Sequence, residues 1–298
     1  MPAHVQPCLF HGLECLRLAA SDGASAVVSR FGAHVLSWTT ADGDERLFLS
    51  ERAAFDHATP IRGGIPVCFP QFSDLGPLAK HGFVRTRAWT VAQPGDMRDQ
   101  GEMRDLDEMR ERGDGAAYVA LVLRHDEDTL AAWPHRFEAR LRVLLSAQRL
   151  EVMLRIENTG VHAFSFTGAL HTYLRIDDLA SASLSGLHGL EYRDAAGGNI
   201  IRIEEPPAVR VTGEVDRVYH TVATPLTLRD GPRTLEVSML GFADAVVWNP
   251  GATRCAALPD MAADGFTRML CVEAAAARIP VQVAPTTVWS GRQSLTVL

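Results

Sequence analysis

Residues 137–157, FEARLRVLLSAQRLEVMLRIE, decide the fold class. Two strand-sized arms, 137–145 and 150–157, flank Ser146-Ala147-Gln148-Arg149. Apolar residues recur in both arms with period two, the spacing that sends successive side chains to opposite faces of a sheet. The pair therefore reads as an antiparallel hairpin. Similar segments lie outward in both directions, at 24–30, 34–39, 46–49, 117–124, 164–176, 235–240, 245–248, 269–273 and 281–288. Most are rich in β-branched or aromatic residues. Turn signals separate many of them: Asp42-Gly43, Asn158-Thr159-Gly160, Gly197-Gly198-Asn199 and Asp230-Gly231. Helix candidates are few, one short turn at 51–57 and another at 253–263. This density of strands predicts an all-β fold, a large antiparallel β-sandwich, and argues against a doubly wound α/β fold.

Composition sets bounds on function. The 298 residues are 47% hydrophobic and 22% charged, ordinary for a globular chain with a sizeable core. At roughly 150 residues per domain the length allows two domains, but a sandwich can use such a length as one. No linker divides the chain, so 1–298 is expected to be a single domain. The formal charge is −7, from 29 basic and 36 acidic residues, and nucleic acid is not expected as a partner. A few arginines can still make a local anion pocket. Residues 96–115 carry eight acidic and four basic residues with Met97, Met103 and Met109, so −4 of the −7 lies there. That segment reads as a solvated acidic insertion between strands.

The five cysteines, Cys8, Cys15, Cys68, Cys255 and Cys271, include no C-x-x-C pair. They suggest neither a disulfide framework nor a zinc pattern. Cys68 and Cys271 sit in apolar runs and read as buried small hydrophobes. His34 and His57 lack ligand partners at characteristic spacing, so no metal is expected. The start, MPAHVQPCLFHGLE, has no basic region followed by an apolar stretch, and no run of ~20 apolar residues occurs. A cytoplasmic protein without membrane contact is the expectation.

Four clusters carry possible chemistry. The first, 61–72, sets Arg62 before Gly63-Gly64 in a glycine- and proline-broken loop. It reads either as a tight surface turn with a salt-bridged arginine or as a ligand loop. It lacks the G-x-G-x-x-G fingerprint of a dinucleotide site. The second, 80–85, adds Lys80, His81 and Arg85, and the forked donors of Arg62 and Arg85 together suit a phosphate. In the third, 164–176, alternation puts His171 with Ala169 and Tyr173 on the more polar face, where an imidazole can exchange protons near neutral pH. The alternative is an ordinary sheet-surface histidine. In the fourth, 268–274, Glu273 shares a face with Met269 and Cys271. A carboxylate there is costly unless paired or functional, and burial raises its pKa toward that of a useful base. Alternatively it ends the strand or pairs with Arg268 or Arg278. Asp216, within 213–219, is either a site residue or the partner of Arg217.

The order and spacing of these pieces resemble the aldose 1-epimerase superfamily, and more closely its glucose-6-phosphate 1-epimerase (hexose-6-phosphate mutarotase) branch. The likeness covers roughly residues 20–290. It runs through Gly32-Ala33-His34-Val35-Leu36-Ser37-Trp38, 61–72, 80–85, Trp133-Pro134-His135-Arg136-Phe137 and Ala169-Leu170-His171-Thr172-Tyr173. It continues through 213–219, Val247-Trp248-Asn249-Pro250 and Cys271-Val272-Glu273. Its specific part is RGGIP at 62–66 followed by HGFVR at 81–85.

The resemblance implies a β-sandwich like that of galactose mutarotase, with His171 as acid and Glu273 as base. It implies Arg62 and Arg85 on a 6-phosphate, His81 and Asp216 lining the sugar site, and Gln71 and Trp248 as neighbours. It departs at Gly251-Ala252, where the branch often has a bulky aromatic, and at Ala274-Ala275, where the family often has glycine or proline. The expected reaction is exchange of the α and β anomers of a hexose 6-phosphate, D-glucose 6-phosphate foremost, by acid–base ring opening and closure. Two proton-transfer groups suffice, so no cofactor is expected, and a monomer is expected because a closed sandwich needs no partner. The alternatives are a mutarotase for unphosphorylated aldoses and a non-catalytic carbohydrate-binding protein.

Overall fold

In the computed structural model, which describes residues 2–92 and 115–298, the hairpin is formed by strands Phe137–Ser146 and Arg149–Asn158. The acidic segment 96–115 lies outside the described residues, Gly115 apart. The odd residues of the first arm, among them Leu141 and Val143, join Leu154 and Ile156 of the second in the main core. The opposite face carries charge: Arg140 meets Glu138 at 3.0 Å and Arg155 meets Glu157 at 3.0 Å. Period two thus divides this hairpin into an apolar side and an ion-paired side.

The hairpin lies within a nine-stranded antiparallel sheet, between Val288–Val297 on one side and Ala117–Arg124 on the other. A second, eight-stranded sheet packs against its apolar face. Its order is Ile200–Ile203, Glu191–Asp194, Val215–Tyr219, Asp244–Asn249, Met269–Val283, Phe164–Leu170 and Val67–Cys68, with Tyr173–Arg175 also paired to Met269–Val283. A four-stranded sheet from His4–Phe10 to Val35–Thr39 completes the described strands. The all-β antiparallel sandwich expected from the periodicity is the fold observed.

The central strands of the eight-stranded sheet, Asp244–Asn249 and the first half of Met269–Val283, are buried on both faces, and this positions the site. Val247, opposite Val272, points into the core between the two large sheets. Val246, Trp248, Cys271, Ala169 and Tyr173 point the other way, into a separate cluster with Phe72, Cys255 and Met261. The second face is therefore covered by the loop and helical segments that follow the strands.

Several local expectations change. The segment 164–176 is two strands, Phe164–Leu170 and Tyr173–Arg175, broken at His171-Thr172. The segment 281–288 spans the end of Met269–Val283, a turn, and the start of Val288–Val297. Residues 46–49 make only isolated bridges, Leu47 to Leu174 and Leu49 to Gly63. No helix forms at 51–57. The helix expected at 253–263 is Gly251–Ala256, started earlier and followed by irregular chain. A helix at Glu127–Ala132 was not anticipated, although Asp126 and Thr129 form a reciprocal capping box at its start.

Gly63 and Gly64 are buried rather than part of a surface turn, and both have positive φ, 115° and 62°. A Cβ on Gly64 would stand 2.2 Å from the Val35 carbonyl oxygen. The loop can reach this depth only because neither residue has a side chain. Replacing Gly64 with Ala is expected to lower the unfolding free energy by about 2–3 kcal/mol in urea titration. A loss below about 0.5 kcal/mol would show that the loop relaxes freely.

Candidate functional site

Strand register assembles the site on the second face of the eight-stranded sheet. Asp216 lies opposite Trp248, Trp248 opposite Cys271, and Cys271 opposite Tyr173. One step along, Glu273 lies opposite Val246. Leu170 is opposite Ala274 and Tyr173 opposite Cys271, so the same register places His171 opposite Glu273.

The ladder is interrupted at that point. His171 N–H donates instead to the Pro66 carbonyl at 3.0 Å, and Val272 N–H donates to the Thr172 carbonyl at 3.1 Å. The Thr172 hydroxyl and Val272 carbonyl are both held by Gln293, at 2.5 and 2.9 Å. His171 stacks on Tyr173, ring centroids 4.8 Å apart and planes 9° apart. Its Nδ1 stands 3.4 Å from Glu273 Oε1. These are the groups expected as acid and base.

Loops bring the cations. Arg62, at the mouth of the buried glycine pair, donates from Nε and Nη2 to Asp260 Oδ2 at 3.1 and 3.0 Å and from Nη1 to the Tyr173 hydroxyl at 3.0 Å. Arg85 lies in the 3-10 turn Val84–Thr86 and donates to the Lys80 carbonyl at 2.7 Å, while its buried Nε has no partner. Among the described residues no carboxylate pairs with Arg85. His81 Nδ1 accepts from Ser73 N–H at 3.2 Å and lies 3.3 Å from Cys68 Sγ. A neutral imidazole accepting at Nδ1 carries its hydrogen at Nε2, where it can donate to a sugar hydroxyl.

These residues line a cavity of about 360 Å³, within the size range of small-molecule sites. Its wall includes five cationic side chains, Arg62, Lys80, Arg85, Arg193 and Arg254, against three acidic ones, Asp74, Asp216 and Glu273. An anionic ligand is favoured there although the whole chain is acidic. Trp248 also lines it, a flat apolar surface suited to the C–H face of a sugar. Gln71 does not. Its amide is engaged with the backbone of Ser73 and Leu78 and holds the loop between them.

Burial dominates the proton chemistry. It pushes the His171 imidazole well below its ordinary range, helped by His81, Arg62 and Arg85. It pushes the Glu273 carboxyl well above, helped by Asp216 and opposed by Lys80. Glu273 is 1% exposed and His171 8%. Burial thus favours the neutral form of each of the two facing groups, the imidazole and the carboxyl. Burial and the cations around it push His81 down to about 3, so it is neutral at physiological pH. Burial also raises Asp216.

Arg62 is salt-bridged, to Asp260, but the pairings considered for Glu273 and Asp216 do not form. Arg268 donates to the Asp177 carbonyl and Arg278 pairs with Glu191, so neither serves Glu273. Arg217 pairs with Glu204 at 2.7 Å, not with Asp216. The sequence reading missed Asp260 and Gln293, which hold Arg62 and the strand break. Asp260 lies in a turn 198 residues beyond Arg62, with no local pattern to mark it. Cys271 sets a thiol beside the pair: the ligand atoms of His171, Cys271 and Glu273 all lie within 4.8 Å of one another.

The chain is similar to known proteins over most of its length. The profile of the family described as Aldose 1-epimerase matches residues 14–296. A Cenchrus ciliaris protein with the provisional name glucose-6-phosphate 1-epimerase is 35% identical over 292 residues, 96% of this chain and 85% of its own. An Escherichia coli K12 protein with the same provisional name is 32% identical over 251 residues, 82% of this chain and 77% of its own. A crystal structure from Salmonella typhimurium, provisionally described as a mutarotase, superposes with a TM-score of 0.84 at 25% identity, covering 98% of this chain and 93% of that one. A galactose mutarotase-like protein from Clostridium acetobutylicum shares the fold at a TM-score of 0.73 and 14% identity, covering 100% and 99%.

The raised Glu273 pKa predicts a pH-dependent stability. Above the unfolded value of 4.5 the unfolded chain releases a proton that the folded carboxyl retains, so wild-type stability falls as pH rises through that window. Glu273→Gln removes this contribution. The variant should gain on wild type by about 1.4 kcal/mol per pH unit above 4.5, levelling off at the folded pKa. Unfolding curves at pH 5, 6, 7 and 8 measure the difference, and a pH-independent difference would contradict the raised pKa.

Proposed function

The chain belongs to the aldose 1-epimerase family, and we propose that its substrate is a hexose 6-phosphate, D-glucose 6-phosphate foremost, whose α and β anomers it interconverts. The observation carrying this reading is the His171–Glu273 pair, 3.4 Å apart at the wall of a cation-lined cavity. Mutarotase chemistry needs one group to remove the C1 hydroxyl proton and another to protonate the ring oxygen. A buried imidazole facing a buried carboxyl provides both within one proton-sharing pair.

The phosphate sits against Arg85 and Arg62. Its charge offsets two of the cations that lower His171, which draws the shared proton from Glu273 to the imidazole. Glu273, now a carboxylate, takes the proton of the C1 hydroxyl. The O–H electrons form the carbonyl, the C1–O5 bond breaks, and protonated His171 delivers its proton to O5. Rotation about C1–C2 exposes the other carbonyl face, and the same two groups reverse roles as the ring closes. His81, donating from Nε2, and Asp216 hold sugar hydroxyls, while Trp248 covers an apolar face. The arginines act far from C1, so they orient the sugar and select for phosphate without touching the bonds that change.

One observation favours a second reading, a mutarotase for free aldoses. Asp260 already neutralises Arg62 through two of its nitrogens, which leaves Arg85 as the main uncompensated charge. Arg85→Ala separates the readings. Under the phosphosugar reading it raises KM for glucose 6-phosphate by 10-fold or more, about 1.4 kcal/mol, with little effect on glucose. Equal rates on glucose and glucose 6-phosphate in wild type, insensitive to this substitution, would favour the free-sugar reading.

Exchange NMR on glucose 6-phosphate measures the activity directly. His171→Ala and Glu273→Gln are each expected to lower the exchange rate by about 10²–10⁴-fold with the fold intact. Wild-type protein at micromolar concentration giving no acceleration above buffer would refute the catalytic reading altogether.

A further inference from the structure

Cys271 takes no part in the ring opening, yet the fold sets it against both groups that do. It lies two residues before Glu273 in Met269–Val283, hence on the same face, and pairs across the sheet with Tyr173 on one side and Trp248 on the other. We propose that His171 Nδ1, Cys271 Sγ and Glu273 form a site for a thiophilic divalent cation of the Zn²⁺ or Cd²⁺ class, and that its occupation blocks the acid–base pair.

Three observations carry this. The donor atoms lie within 4.8 Å of one another, and the His171 Nδ1 to Glu273 Oε1 distance is 3.4 Å. Metal bonds of about 2.0–2.1 Å at the tetrahedral angle place two ligands about 3.4 Å apart, so that edge needs no movement. The thiol must close by a rotation of its side chain. Second, His171 Nδ1 and Glu273 Oε2 are buried without hydrogen-bond partners. Such lone pairs, withdrawn from water, are ready to coordinate. Third, imidazole, thiolate and carboxylate together match zinc and cadmium, and the sulfur discriminates against Mg²⁺ and Ca²⁺, which take oxygen ligands.

Rigid placement supports the trio. Cys271 and Glu273 are fixed by the ladder, and Gln293 holds the break that turns His171 toward them. His171 and Glu273 line the cavity, so a water would complete the coordination from that side. On binding, the Cys271 thiol and the Glu273 carboxyl release their protons to solvent, and the sulfur, carboxylate and imidazole lone pairs go to the metal. Arg62 and Lys80 oppose the added positive charge, and Asp216 favours it. Cation and sugar exclude each other, because both need the imidazole and the carboxyl.

Cd²⁺ titration of the full chain in thiol-free buffer, followed by the sulfur-to-cadmium charge-transfer absorption, tests the site without reference to catalysis. One equivalent should give the band. Cys271→Ser should abolish it, while Cys68→Ser, which alters the neighbouring thiol beside His81, should leave it. Glu273→Gln, which keeps Cys271, should weaken Cd²⁺ binding by 10-fold or more. This arm decides the proposal even if the protein proves inactive on glucose 6-phosphate. Where exchange is active, Zn²⁺ should slow it, chelator should restore it, and Cys271→Ser, with its own turnover near wild type, should need at least 10-fold more Zn²⁺. No band in wild type, a band that survives Cys271→Ser, or its loss in Cys68→Ser alone would overturn the proposal. If Cys271→Ser does not fold, Cys271→Ala and the Glu273→Gln binding comparison carry the same decision.

Discussion

Glu273 occupies the middle of a strand whose neighbours on either side, Val272 and Ala274, face the core between the two large sheets. A position of that kind ordinarily takes an apolar residue. An ionised carboxylate there, without a partner, costs several kcal/mol. Burial pushes the carboxyl well above its ordinary range, toward its neutral form, and the fold sets one imidazole opposite it. Much of the site follows from this constraint. The cavity gives access to the pair, Lys80 tempers the carboxyl, and Asp260 and Tyr173 fix Arg62. Burial also makes the pair responsive, since a charge arriving in a low-dielectric pocket moves a shared proton more than it would in water.

The parts of this arrangement legible in the sequence are those that depend on period alone. Alternation in 137–157 identified the hairpin, and alternation in 164–176 put His171 and Tyr173 on one side and Leu170 and Leu174 on the other, as observed. Alternation around 269–273 likewise put Cys271 and Glu273 together. What period cannot supply is register. That His171 faces Glu273 follows from which residues of two distant strands pair, and no local signal states it. The break at His171-Thr172 was invisible for the same reason. It depends on Pro66 and Gln293, both remote in sequence, capturing the backbone and hydroxyl groups of the break. Gln71 misled in the opposite way. A polar residue beside a glycine-rich loop is an attractive ligand, but here its amide satisfies the loop's own backbone. The short helix at Glu127–Ala132 was legible and overlooked, because Asp126 and Thr129 have the spacing of a reciprocal cap.

Net charge proved a poor guide to the pocket because charge is distributed unevenly. More than half of the −7 falls within 96–115, whereas the cavity wall carries five cations and three acids, one of them, Glu273, with its pKa raised by burial. The turn after Trp248 is constrained by its backbone. Gly251 has φ 60°, and a Cβ there would lie 2.7 Å from the Glu214 amide nitrogen. Any side chain would require the chain near Glu214 to move, so the position is confined to glycine. It begins the helix Gly251–Ala256, from which Arg254 reaches Glu214 at 2.6 Å.

Under the proposed reaction, substrates have to be separated away from the bonds that change. The His171–Glu273 pair would act on C1 and O5, which every aldopyranose has, so the chemistry itself could not distinguish a phosphosugar from a free one. Selection has to come from groups that meet the far end of the sugar. Arg62 is partly neutralised by Asp260, while Arg85 keeps its charge, and both lower the imidazole that must become the acid. A phosphate bound there would contribute twice, once as binding energy and once by offsetting the cations that lower His171. A free sugar would provide neither effect. In the proposed reaction the two arginines that hold the substrate would thereby also favour the protonated imidazole that opens its ring.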